Sequence, residues 1–293
     1  MAVRKDKIIK LDSGKEMDAR AEFYACAEEV VNDCRHRKVR ISDYNLSGKG
    51  MSSSWEGVSS YDEALGLMHN GYSPVVDDFR GELSVTPKDG PRYSFKNAIQ
   101  GFTPIVPLAL KCVPNCMVDM HIKPIKAKVL DVYYDMTALA GVEAKQFIKA
   151  GKSVLGTIIE LEKQGYRFNL FAIQTYVSGG RAGTVDTLCV KVKSSNKPLD
   201  LKRMSFPLTH PAFFRVIGFD WQGKSPITRD LGYGRGRDLG HEYNEKDLVT
   251  FATQMFGNNA CYISCSNIIG SDYDRDMLKE SFTRGANKRK SKD

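Results

Sequence analysis

The stretch that decides the fold reads KAKVLDVYYDM over residues 126–136, VEAKQFIKAGKSVLGTIIELEKQG over 142–165 and YRFNLFAIQTY over 166–176. Its first and last segments are dense in Val, Leu, Ile, Phe and Tyr, which is typical of buried strands. In the middle segment the apolar residues recur at helical spacing, and Gly165 ends the pattern in the usual position after a helix. The stretch therefore predicts a strand, a crossover helix and a second strand, with parallel pairing and a right-handed connection.

Weaker patterns lie on both sides of this unit. Residues 184–192 (TVDTLCVKV) alternate as a third strand, which should form a hairpin with the second. Spacing and capping signals predict helices over residues 21–37, 59–70, 246–256 and 274–284, and a short buried strand over residues 260–264. Residues 1–20 are expected to fray, residues 73–94 to form an irregular connector, and the proline-broken segment 102–118 to lie extended over the core.

These elements predict an α/β protein with a mostly parallel sheet flanked by helices. We expect residues 1–100 to form a helical and irregular N-terminal extension, residues 101–284 to form the α/β domain, and residues 285–293 to form a disordered basic tail. A chain of 293 residues is long enough to bury a core in this arrangement without disulfides.

Charge is concentrated at the end of the chain. The net charge is +8, and residues 284–293 carry five basic side chains against one aspartate, which leaves +4 on this tail. Lys288, Arg289, Lys290 and Lys292 are therefore candidate contacts to nucleic acid or another polyanion. The alternative is a solvated terminus without a ligand.

Cysteine content and hydropathy indicate the compartment. The seven cysteines are an odd number, and the polar start MAVRKDKIIK lacks the apolar region of a signal peptide, so we expect reduced thiols in a cytoplasm. The longest apolar stretch, near residues 102–110, is broken by prolines and falls short of the roughly 20 residues that a spanning helix needs. We expect no membrane among the partners.

A turn after the first strand of the central unit is the first candidate site, because ligands of open α/β sheets bind beyond the carboxyl ends of strands. Asp135-Met136-Thr137-Ala138-Leu139 resembles a degenerate Asp-x-Ser-x-Ser turn of von Willebrand factor A domains. The resemblance implies a von Willebrand A-like, Rossmann-like domain in which Asp135 and Thr137 hold Mg²⁺. Leu139 replaces the second hydroxyl, so the other reading of Asp135 is a turn and N-cap residue. Thr184 and Asp186 could supply further oxygens.

A glycine-rich loop is the second candidate site. Residues 231–241 read LGYGRGRDLGH, with glycines that let the backbone approach a ligand and arginines that pair with phosphate or carboxylate. The candidate contact residues are Gly232, Tyr233, Gly234, Arg235, Gly236 and Arg237. The loop is not a P-loop, since Gly-Lys-Ser/Thr is absent, and a surface loop without a ligand is the alternative.

A second resemblance covers roughly residues 50–270. The segments Ser54-Trp55-Glu56-Gly57, Tyr61-Asp62-Glu63-Ala64-Leu65, Gly165-Tyr166-Arg167 and His210-Pro211-Ala212-Phe213-Phe214-Arg215 are similar to uncharacterised phage and prophage proteins with a von Willebrand A-like half. The resemblance implies a phage protein in the host cytoplasm. It also implies an adaptor that acts beside a hexameric AAA ATPase of the MoxR type.

Three functions remain open from the sequence. The first is a non-enzymatic interaction protein that binds a protein partner through the Asp135 turn and the glycine-rich loop. The second is a nucleic-acid-binding protein, and the third is a structural component of a virion or another homo-oligomeric assembly. No complete catalytic motif occurs, which favours a non-enzymatic role, although triads are spatial and an enzyme stays open. Cys112, Cys116 and His121, together with Cys261 and Cys265, offer zinc donors at an unusual spacing, and buried free thiols are the alternative.

Overall fold

The structure, a computed structural model, describes residues 2–38, 51–84, 92–123, 128–178, 183–228, 239–270 and 275–287. These residues form a six-stranded sheet covered by helices on both faces and a separate three-stranded sheet. The prediction of an α/β protein is confirmed.

The strands and helices are numbered in chain order. The strands are β1 (Val3–Lys10), β2 (Glu16–Tyr24), β3 (Arg92–Ala98), β4 (Thr103–Pro104), β5 (Met117–Lys123), β6 (Lys128–Asp135), β7 (Tyr166–Ser178), β8 (Gly183–Lys193) and β9 (Ala260–Ser264). The helices are α1 (Ala27–His36), α2 (Tyr61–Asn70), α3 (Ser73–Arg80), α4 (Val106–Leu110), α5 (Ala144–Lys163), α6 (Leu201–Thr209), α7 (Phe219–Lys224), α8 (Leu239–Glu242), α9 (Glu245–Phe256), α10 (Cys265–Gly270) and α11 (Arg275–Asn287). A 3-10 turn spans Gly81–Ser84 and a π-helical turn spans Phe213–Gly218.

The larger sheet has the strand order β1-β2-β8-β7-β6-β9. Strand β6 pairs in parallel with both β7 and β9, and β2 pairs in parallel with β8. The predicted parallel pair around α5 and the predicted β7–β8 hairpin are confirmed. The predicted mostly parallel sheet is wrong, because β1–β2 and β7–β8 are antiparallel. Their connections are too short for the crossover that parallel strands need.

Two hydrophobic clusters cover the two faces of this sheet. The larger one packs α5, α6, the π-helical turn and α11 against one face. The smaller one packs Leu248, Phe251 and Met255 of α9 against the other face. Amphipathic helices on both faces are the expected cover for a sheet whose central strands are largely buried on both faces.

The N-terminal residues belong to the sheet. Met17, Ala19 and Ala21 of β2 are buried in the smaller cluster, so the expectation that residues 1–20 fray is wrong. Because β2 continues to Tyr24, the helix predicted from residue 21 begins only at Ala27. Strands from both sides of residue 100 share the sheet, and the domain division stays a prediction.

Two further segments differ from the expectation. The connector predicted over residues 73–94 contains α3, whose Val75 and Phe79 are buried. The segment 102–118 does not lie over the core, since Phe102, Val106 and Leu110 are exposed. Among the described residues, the structure has no helix with the length and apolar character needed to span a bilayer.

A glycine sets the distance between α5 and α6. A Cβ added to Gly151 would lie 2.3 Å from the carbonyl oxygen of Leu208 and 2.5 Å from the Cα of Thr209. Both of these atoms are backbone, so they cannot move aside without shifting α6. Gly66 in α2 differs, because a Cβ there meets nothing within 4 Å.

We predict opposite effects of alanine at these two helical glycines. Gly151→Ala should lower the free energy of unfolding by about 1–3 kcal/mol through overpacking. Gly66→Ala should raise it by about 0.5–1 kcal/mol, because alanine has the higher helix propensity. Urea unfolding followed by circular dichroism measures both, and a stabilising Gly151→Ala would contradict the close approach.

Candidate functional site

A buried carboxylate ends the central strand of the larger sheet. Asp135 is the last residue of β6, and its register partners are Ile173 on β7 and Ser264 on β9. Its side chain is almost completely buried. A carboxylate in such a place is unfavourable unless hydrogen-bond donors surround it.

Three neighbouring segments supply these donors. The backbone N–H of Thr137 donates to Oδ1 of Asp135 at 2.9 Å, which closes an Asx turn after β6. The hydroxyl groups of Thr175 on β7 and Tyr262 on β9 donate to Oδ2. Thr137 is itself held, since its Oγ1 accepts the backbone N–H of Thr175 at 2.9 Å. The turn is therefore tied to both neighbouring strands.

The burial of Asp135 changes its acidity. Loss of hydration raises the pKa of the carboxyl group to about 6, although the hydrogen bonds from Thr175, Tyr262 and Thr137 act in the opposite direction. The charged form is thus destabilised in the folded state. Burial, together with the charge of the same carboxylate, raises the pKa of the Tyr176 hydroxyl well above its ordinary value.

More hydroxyl groups border the turn at the end of β9. The Ser266 hydroxyl donates to the carbonyl oxygen of Thr137 at 3.2 Å, and the Ser264 hydroxyl accepts the backbone N–H of Asn267 at 3.3 Å. Leu139, where the resemblance expects a hydroxyl, is half-exposed and offers only its carbonyl oxygen, to Arg215. The polar groups at this end of the sheet thus come from two parallel strands.

Sequence reasoning missed Thr175, Tyr262, Ser264 and Ser266. Each is a single polar residue in or directly after an apolar strand, which is also the usual pattern of an ordinary strand end. Only the pairing of β6 with β7 and β9 brings these residues to Asp135. Strand order would have been needed to find them.

The predicted cation ligands, Asp135 and Thr137, lie in one turn, and both oxygens of Asp135 accept hydrogen bonds from protein groups. No group of three or more His, Cys, Asp or Glu side chains able to hold a metal occurs among the described residues. The turn role of Asp135 is observed, whereas the N-cap of α5 is Glu143, which forms a capping box with Gln146. Magnesium binding stays a prediction.

The additional oxygens expected from Thr184 and Asp186 lie elsewhere. Asp135 pairs with Ile173, and Ile173 pairs with Cys189, so these three residues share one face of the sheet. Side chains alternate along a strand, which places Thr184 and Asp186 on the opposite face. There Asp186 is buried with its Oδ1 2.7 Å from the Arg20 guanidinium.

Leu239, at the end of the glycine-rich sequence, contacts the Asp135 network. Its candidate residues, Gly232, Tyr233, Gly234, Arg235, Gly236 and Arg237, lie outside the described residues, as do Lys288, Arg289, Lys290 and Lys292 of the tail. Leu239 is the first described residue after this segment, and its backbone N–H donates to Thr175 Oγ1 at 3.2 Å. The Thr175 hydroxyl in turn donates to Asp135. Leu239 is therefore linked to the Asp135 carboxylate through Thr175.

A buried arginine fixes the segment between the turn and α5. The Arg215 guanidinium donates to the carbonyl oxygens of Trp55 at 2.6 Å, Leu139 at 3.3 Å and Val142 at 2.6 Å. It also lies 4.1 Å from the ring centroid of Trp55 and 4.6 Å from that of Phe147. Burial lowers its pKa to about 10, so the group remains charged at neutral pH. Three carbonyls and two rings are thus held by one side chain.

Two of the segments that carry the phage-type resemblance meet at this arginine. Besides its carbonyl contact with Arg215, Trp55 donates its indole N–H to the carbonyl oxygen of Ala140 at 2.6 Å. Gly57 has a φ of 77° and lies so close to the ring of His210 that a Cβ would be 2.8 Å from Cε1. These residues therefore fasten residues 52–57 to the segment after Asp135, which is a structural role.

The raised pKa of Asp135 predicts a specific pH dependence. Because the folded-state pKa lies above the ordinary value of 3.8, its contribution to stability is fully present below about pH 4 and is lost as pH rises through 6. Between pH 4 and pH 7.5, wild type should therefore lose on the order of 3 kcal/mol of unfolding free energy relative to Asp135→Asn. Urea unfolding across this range measures the difference.

The matched control is Asp12→Asn, which removes an exposed carboxylate from the β1–β2 turn. It should leave the pH profile of wild type unchanged. Parallel profiles for wild type and Asp135→Asn would show that the carboxyl group is not perturbed in the folded state.

The contacts of Arg215 predict a large effect of a conservative change. A lysine ammonium cannot reach three carbonyls while stacking between Trp55 and Phe147, so Arg215→Lys should cost about 2–4 kcal/mol of unfolding free energy. Arg35→Lys on the exposed side of α1 is the control and should change stability by less than about 0.5 kcal/mol. Equal stability of the two variants would contradict the role of the guanidinium.

Comparison with known proteins places the chain in a family. No curated protein and no solved structure matches it significantly. One family model does match, described as "Domain of unknown function (DUF7192)", and its match covers residues 13–283. This range includes the three-stranded sheet, every strand of the larger sheet except β1, the Asp135 turn and Arg215. Because the match spans nearly the whole chain, the protein belongs to the DUF7192 family.

Proposed function

We propose that this protein is a non-enzymatic adaptor with a von Willebrand A-like domain, and that a protein partner binds at the end of the sheet marked by Asp135. Support for the domain identity comes from the strand with the Asp135 turn, which lies between two parallel strands and is followed by the long helix α5. The carboxyl ends of parallel strands are the usual place for ligands in such sheets.

The observation that carries the proposal is the hydrogen bond from the Leu239 N–H to Thr175 Oγ1. It joins Leu239, the first described residue after the glycine-rich segment, to the network of Asp135, which supports a contact surface made by both predicted elements. Loops that a rigid scaffold holds in place are the common sites of recognition. Here the scaffold is the turn bound to β7 and β9 through Thr175 and Tyr262.

The hydrogen bonds of Asp135 favour binding over catalysis. Both of its oxygens accept donors from the protein, and the side chain is buried, which suits a carboxylate that holds a turn. The recognition chemistry then falls to the loop, where Arg235 and Arg237 suit carboxylates of a partner. The resemblance to phage-type adaptors makes an AAA ATPase our proposed partner class.

Capture from native host cells tests this function. Tagged wild type should retain a protein partner, identified by mass spectrometry as an ATPase, and Arg235→Ala/Arg237→Ala should lose at least about 10-fold of it, equivalent to about 1.4 kcal/mol. Arg35→Ala/Lys197→Ala removes the same charge from exposed positions elsewhere and should retain the partner.

Three outcomes would overturn the proposal. A wild-type eluate without any partner protein is the first, and undiminished capture by Arg235→Ala/Arg237→Ala is the second. Capture that disappears after nuclease treatment is the third, and it would favour the nucleic-acid reading, for which salt dependence is the second measurement.

A further inference from the structure

Exposed apolar side chains are concentrated in and around the three-stranded sheet. We call residues 92–123, which contain β3, β4 and β5, the finger. Thirteen large hydrophobic side chains are exposed among the described residues, and seven of them lie in the finger: Phe95, Ile99, Phe102, Val106, Leu110, Val113 and Met120. Apolar patches of this size mark sites of interaction.

The strand register makes the finger amphipathic. Phe95 pairs with Met120 and therefore shares a face with it. The next residue pair along the strands is Lys96 and Asp119. It projects from the other face of the finger, which is therefore charged. An antiparallel sheet with one apolar face normally packs that face against a core, and none of the described residues pairs with these strands from outside the finger.

Phe102 extends the apolar face. Its backbone N–H donates to the carbonyl oxygen of Val118 at 3.0 Å, and its ring centroid lies 6.3 Å from that of Phe95. The chain crosses β5 here only because residue 101 is glycine, since a Cβ on Gly101 would lie 2.1 Å from the same carbonyl oxygen. Both rings are still exposed, Phe95 at 62% and Phe102 at 65%.

Charge placement decides what fits this face. Residues 90–118 contain three basic residues, Arg92, Lys96 and Lys111, and no aspartate or glutamate, and Lys96, Asp119 and His121 occupy the face opposite Phe95 by register. A bilayer with acidic lipids would require basic side chains on the apolar face of the strands, whereas Lys96 projects from the other face and Asn97 and Val118, which share the face of Phe95, are uncharged. An uncharged apolar surface is instead the complement of this face, and the finger of another copy provides one.

We propose that two copies of this protein pair through their fingers, with the apolar faces packed against each other and the charged faces in solvent. At their exposed fractions, the seven side chains of the finger together present on the order of 800 Å² per copy, comparable with the area per partner in a standard interface. Phe95, Phe102 and Met120, which register and ring contact place on one face, supply nearly half of this area. Two-fold pairing of the same patch is the commonest arrangement of homo-oligomers.

The finger precedes β6 in the chain, whereas Asp135 is the last residue of β6. The finger ends at Lys123, and β6 begins at Lys128 and runs to Asp135. Seven residue steps along a strand separate these ends of β6 by roughly 23 Å. The pairing surface and the Asp135 end therefore belong to different parts of the chain, and the inference goes beyond the proposed function and does not depend on it.

The full chain, examined by size-exclusion chromatography with light scattering, tests the pairing. From about 0.1 to 100 μM, a range in which standard interfaces associate, wild type should pass from the mass of one chain to twice that mass. Phe95→Ser/Phe102→Ser should remain at one chain mass over this range, with an unchanged circular dichroism spectrum, since both rings are largely exposed.

The control is Ile8→Ser/Met277→Ser, which removes two side chains exposed at 77% and 48% outside the finger and should still pair. Wild type that stays at one chain mass throughout overturns the proposal, as does pairing that persists in Phe95→Ser/Phe102→Ser. A third arm adds vesicles of phosphatidylcholine with or without phosphatidylserine. Finger-dependent flotation of a protein that does not pair would assign the face to lipid and also overturn the proposal.

Discussion

The carboxyl group of Asp135 constrains the structure around it, because a buried carboxylate needs donors from its surroundings. Those donors come from Thr137 in the turn, Thr175 on β7 and Tyr262 on β9, so one side chain ties together three neighbouring strands. Leu239 joins the same network through Thr175. The ends of three parallel strands and Leu239 are thus connected through a single buried group.

A second buried charge completes this arrangement from the other side of the turn. Arg215 binds the carbonyls of Leu139 and Val142, which lie between the turn and α5, and the carbonyl of Trp55 from a distant segment. Its cost of desolvation is offset by three charge-assisted hydrogen bonds and by two aromatic rings. The segment after β6 is therefore held at its start by an anion and at its end by a cation.

Local patterns in the sequence predicted the centre of the fold well. The β6–α5–β7 unit and the β7–β8 hairpin follow from apolar periodicity and from Gly165. The same reasoning failed for β1 and β2, whose many charged residues hide the alternation that buries Met17, Ala19 and Ala21. It also failed for the finger, because prolines mark a segment as irregular without indicating whether it lies on the core or away from it.

The residues of the candidate site also fall into those that the sequence predicted and those that only the tertiary structure shows. By itself the sequence determined that Asp135 and Thr137 form a turn at the carboxyl end of a buried strand, since strand, turn and helix are contiguous in the chain. Only the tertiary structure decided that Thr175, Tyr262 and Leu239 complete the network, and that Thr184 and Asp186 face away from it. The physical reason is that strand order and register depend on contacts between distant segments, whereas turns and periodicity depend on neighbouring residues.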